Sequence, residues 1–97
     1  MANRARISVE DTEEATVDRA VCIVRCLEGV VSPGDMFDVA TSTGGEDARV
    51  ALYVTRIWRY GRPIDLLGPP HSAKVELTGQ GTLSLPGVTH LTMTTGA

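Results

Sequence analysis

Ninety-seven residues carry nine basic and twelve acidic side chains, a net charge of -3, with 42% apolar and 22% charged residues. That length suits one domain burying roughly 60 to 65% of its unfolded surface, and the composition excludes the disordered, collagen-like and disulfide-scaffold classes. The acidic balance disfavours phosphate backbones as partners, although eight arginines against the single lysine Lys74 leave room for a local basic patch.

The start of the chain, through Ile7-Ser8-Val9-Glu10-Asp11, has no apolar core of the kind a signal peptide needs. No apolar run approaches the roughly 20 residues of a spanning helix. A cytoplasmic protein with no membrane contact is the expectation.

Arg6 to Asp11 alternates polar and apolar residues and predicts an edge strand, followed by an acidic loop over 12–16. A helix over 9–17 competes, but no 3.6-residue apolar stripe supports it. Ala20 to Leu27, apolar on both parities except at Arg25, predicts a central, doubly buried strand. Cys22 and Cys26 lie in it four residues apart, roughly 13 Å along an extended chain, too far for a disulfide. They are expected as reduced core thiols.

Pro33-Gly34 is the pair that a type II turn prefers, with Asp35 able to bond the turn backbone. Met36 to Val39 then predicts a strand, and Gly44-Gly45 the tip of the next loop. Ala48 to Tyr60 predicts a long strand whose apolar parity switches, so a bulge is expected around Arg56. Gly61-Arg62-Pro63 and Gly68-Pro69-Pro70 break the chain on either side of 64–67. Ala73 to Gly79 and Leu83 to Thr94 alternate and predict two more strands. Six or seven short strands without an amphipathic helix make an all-β protein, a small closed Greek-key-type barrel. It fills residues 1–97 as one domain, with 1–5 and 95–97 as flexible ends.

The order of four of these pieces resembles the second, β-barrel domain of elongation factor Tu and related translational GTPases. They are Ile7 to Asp11; Val21 to Asp35 with its Pro33-Gly34-Asp35 turn; Val50 to Ile57; and Ala73 to Gly79 before Leu85-Pro86-Gly87. Together they cover roughly residues 6–91. The chain departs from that family in having Arg25-Cys26 where the main strand usually carries a glycine, and in the proline-rich stretch 58–71. No Gly-x4-Gly-Lys-Ser/Thr phosphate loop occurs, so the barrel is expected without the GTPase and without GTP. The resemblance implies an interaction module, since the family's barrel contacts ribosomal RNA, aminoacyl-tRNA or a neighbouring domain.

Arg56, Trp58, Arg59, Tyr60 and Arg62 interleave three arginines with two of the chain's four aromatics, a mixture suited to interface hot spots or to stacking bases. The alternative places Trp58 in the core and the arginines on a solvated face. His71 and His90 with Cys22 and Cys26 match no zinc-ligand spacing, so no metal and no cofactor are expected. Neither histidine belongs to a recognisable nucleophile motif, and the carboxylates of 10–14 read as a solvated charge run, so no enzyme is expected. The expected function is protein binding. RNA or ribosome contact through Arg56, Arg59 and Arg62 is the alternative, an uncharacterised small enzyme the third reading. A homodimer through the Ile7–Val9 edge stays open.

Overall fold

The structure is a computed structural model and describes residues 4–94. Seven strands follow one another: β1 Arg6–Ala15, β2 Ala20–Glu28, β3 Met36–Ser42, β4 Asp47–Arg59, β5 Arg62–Pro63, β6 Ser72–Gln80 and β7 Val88–Thr92. A 3-10 helix, Thr82–Gly87, precedes β7. Every pairing is antiparallel, in the order β3-β7-β1-β2-β6-β4, and β4 returns to β3 to close a six-stranded barrel. β6 wedges between β2 and β4, so the connections leap as in a Greek key instead of meandering. The two-residue β5 hangs from the far end of β4.

Alternation decides what points inward. Ala20, Cys22, Val24 and Cys26 of β2 are buried with Leu52, Val54 and Ile57 of β4 and Val75 and Leu77 of β6. Phe37 is the only aromatic residue in this core. Leu67 and Leu85, from outside the long strands, join the same cluster. Each valine, leucine, isoleucine or phenylalanine buried this fully contributes about 1.5–3 kcal/mol relative to exposure. Both thiols are free, and burial pushes each thiol's pKa up.

The expected turn at 32–35 is present. Gly34 has φ 98°, the Asp35 N–H donates to Ser32 O at 3.1 Å, and the Ser32 N–H donates to Asp35 Oδ2 at 2.9 Å. The parity switch in β4 is a bulge. Register with β6 slips between Val54 and Arg56, so Thr55 and Arg56 both face solvent while Val54 and Ile57 face the core.

Three expectations fail. β1 does not end at Asp11 but runs through Ala15, with irregular register between Val9 and Asp11 and again between Thr12 and Glu14. Cross-strand pairing to β2 overrides the weak strand propensity of glutamate, whose side chains stay outside. Nor is β1 an edge strand: Arg6 to Ser8 pair with β2 on one side and β7 on the other, which leaves Ile7 and Ser8 no free edge to offer a second copy. Lastly, 83–94 is not one strand. After Gly81 the chain turns into the 3-10 helix, and Thr82 and Leu85 are buried at that helix's three-residue period, which near Leu83 and Leu85 is easily mistaken for alternation.

Asp38 ties the last described residues to the barrel. Its carboxylate is buried and accepts the Thr94 N–H at 2.7 Å and the Thr94 hydroxyl, with Arg49 Nη1 at 3.5 Å. Burial pushes this carboxyl up, but the Thr94 bonds, its own backbone N–H and Arg49 outweigh that and hold it below its ordinary range. Ala5 is likewise buried and accepts the Met93 N–H at 2.9 Å. The flexibility expected of 1–3 and 95–97 lies outside the described residues.

Candidate interaction groove

In a barrel one cross-strand row of side chains in two faces outward, and two such rows cross the wall built by β2, β6 and β4. One row is Ile23, Lys74 and Trp58; the next is Val21, Glu76 and Arg56. The bulge sets the second half of β4 in this frame, so Trp58 lies on the outer wall and not in the core. Val21, Ile23 and Trp58 are half-buried and form the apolar floor of a groove of about 900 Å³.

Charged side chains rim that floor. Lys74, on β6, reaches over β2 to Glu13 of β1, with Nζ 2.9 Å from Oε1. Arg19, in the β1–β2 turn, holds Glu14 at 2.6 Å and Glu76 at 2.9 Å. The Arg19 hydrogen bond lowers the pKa of the Glu14 carboxyl. At the opposite end Arg59 lies with its guanidinium carbon 5.3 Å from the centre of the Tyr60 ring. Its Nη2 donates to His71 Nδ1 at 3.0 Å, which requires a neutral imidazole with the proton on Nε2.

Tyr60 and Gly61 form the two-residue loop between β4 and β5, with Arg59 paired to Arg62 across it. Both have positive φ, 54° and 74°, as a type I′ turn requires. Asparagine and glycine suit that turn, whereas Tyr60 is a bulky residue in the left-handed region and is 90% exposed. An exposed ring kept in a strained backbone is a feature that folding alone does not call for.

Of the five residues singled out from the sequence, Trp58, Arg59 and Tyr60 line the groove together. Arg56 lies one row away, its Nε 3.9 Å from Glu76 Oε1, and Arg62 is exposed beside Arg59 without lining the groove. Sequence reasoning missed the other wall, from Val21 and Ile23 to His71 and Lys74. The signal was present, since β2 is apolar on both parities, but two-sided burial was the wrong explanation for it. Among the described residues, no group of His, Cys, Asp and Glu is arranged to hold a metal ion. No protein-family model and no curated protein sequence matches the chain, so the groove is read from its own chemistry.

Proposed function

We propose that the domain is a non-catalytic interaction module that docks another protein on the outer wall of its barrel. The observation that carries this reading is the apolar floor of Val21, Ile23 and Trp58, placed where a solvated barrel wall calls for polar side chains. Aromatic and arginine side chains around a partly buried centre match the composition of binding hot spots. The groove's volume falls within the range of ligand sites, roughly 300–1,000 Å³. Its ionisable groups are mostly engaged with one another, Lys74 with Glu13 and Arg19 with Glu14, which favours a binding surface over a reaction centre. The sequence resemblance to the barrel domain of translational GTPases supports the same kind of role.

The test is affinity capture from lysate by the wild type and by Trp58→Ala, at about 0.15 M salt and at roughly three times that, a range over which phosphate contacts weaken steeply. A protein retained at the higher salt and lost with Trp58→Ala is the expected result. Capture indifferent to Trp58→Ala, or RNA that salt releases, would overturn the reading, the latter in favour of RNA contact through Arg56, Arg59 and Arg62.

A further inference from the structure

The charges around the groove are not evenly compensated. At the end nearest the β1–β2 turn, Arg19 has two carboxylates and Lys74 has one. At the other end Arg59 meets only neutral groups, the His71 ring nitrogen and the Tyr60 face. Arg62 pairs with Arg59 across the turn, and Arg25, whose Nε lies 3.5 Å from Ser72 Oγ, sits on β2 opposite Ser72 of the groove wall. None of the three forms a salt bridge among the described residues. In a chain of net charge -3, the groove thus has at this end one lining cation, Arg59, without a carboxylate partner among the described residues.

Arg59 is also held ready. A guanidinium carries five N–H donors and His71 occupies one, leaving an edge that fits a carboxylate with two parallel bonds. Trp58 and Arg59 both line the groove, so its apolar floor and this guanidinium border the same space.

We propose that the groove binds an acidic peptide segment, with an apolar side chain on Val21, Ile23 and Trp58 and a carboxylate from a neighbouring position on Arg59. This rests on the protein-docking reading and names the chemistry of its partner. A nucleic acid backbone fits less well, because its run of phosphates would cross the wall that carries Glu13, Glu14 and Glu76. A peptide brings its negative charge to one end only.

Fluorescence anisotropy with short labelled probes tests this: a peptide of apolar residues with Asp/Glu confined to one end, its Asn/Gln counterpart, its Lys counterpart and a single-stranded RNA. The acidic peptide is expected to bind at least about tenfold more tightly than the Asn/Gln counterpart, the worth of one charge-assisted hydrogen bond. Arg59→Gln should abolish that difference while leaving the weaker binding of the neutral peptide, and Trp58→Ala should weaken both. Glu13→Gln, which releases Lys74 from its partner, should tighten the acidic peptide severalfold, a gain that misfolding cannot imitate. Equal binding of acidic and neutral peptides, or a preference that survives Arg59→Gln, overturns the acidic selectivity and leaves protein docking standing. RNA binding without peptide binding overturns both, and no binding of any probe overturns the acidic-peptide proposal.

Discussion

Replacing Tyr60 with asparagine is expected to move stability and binding in opposite directions. The left-handed conformation at φ 54° costs a bulky L-residue about 1–2 kcal/mol, much of which asparagine avoids. Against this stands the loss of the Arg59 contact at 5.3 Å, worth about 0.5–1 kcal/mol at an exposed site. The ring is 90% exposed, so little buried area is lost. A net stabilisation of about 0.5 kcal/mol follows, which for a domain of this size raises Tm by about 2–4 °C. Circular dichroism melts would read that shift, while titration with the acidic peptide should show weaker binding, since Tyr60 lines the groove and backs Arg59. A lower Tm would refute the claim that Tyr60 is strained. A higher Tm with unchanged affinity would refute the link between the strain and the site.

Gly79 and Gly34 form a matched pair. Both have strongly positive φ, 125° and 98°, but a Cβ on Gly79 would stand 2.0 Å from Ala51 O, whereas one on Gly34 meets nothing within 4 Å. Gly34→Ala should therefore cost about 1–2 kcal/mol of conformational strain, and Gly79→Ala visibly more, read from urea midpoints; equal losses would sink the argument. Asp38→Asn tests the clamp on Thr94. A carboxyl held below its ordinary 3.8 contributes stability above that pH and loses it as pH falls through the lowered value. The variant should thus melt below the wild type at pH 7, by about 1–3 kcal/mol, with the gap narrowing below about pH 4; a gap independent of pH would show that the charge is not what matters. Cys22 and Cys26 are fully buried, and burial raises both pKa values. A thiol reagent should label neither thiol in the folded protein and both in denaturant, and rapid native labelling would contradict the barrel's packing.

The barrel was legible where local chemistry and tertiary pairing agree. The Ser32–Asp35 turn, the bulge beside Arg56 and the inward sets of β2, β4 and β6 follow from turn residues and from alternation. The extension of β1 was not legible, because residues 12–15 are held by pairing to β2, and the partners of Glu13 and Glu14, Lys74 and Arg19, are sixty-one residues away in one case and across a turn in the other. The segment Thr82–Gly87 reads as a strand because Leu83 and Leu85, two apart, satisfy a strand's period, whereas the buried residues are Thr82 and Leu85, three apart, and Leu83 is exposed. Half of the candidate site was equally hidden. A strand in a one-layered barrel has one face in the core and one on the wall, so Val21 and Ile23 look like core until the closure of the sheet is known.

The bulge in β4 adds one residue to one strand, and the effect of that residue extends well beyond its own position. Between Val54 and Ile57 the inward count slips by one, and every later side chain exchanges sides with its neighbour. In a regular strand continuing from Val54, Trp58 would share the core side and Ile57 the solvent side. The slip changes only what the second half displays, while the first half keeps its own pairing with β3, Met36 opposite Tyr53 and Phe37 opposite Leu52. An inserted residue in a β-barrel is therefore a frame change confined to one wall, by which a chain can turn an aromatic outward without altering the composition of the strand that carries it.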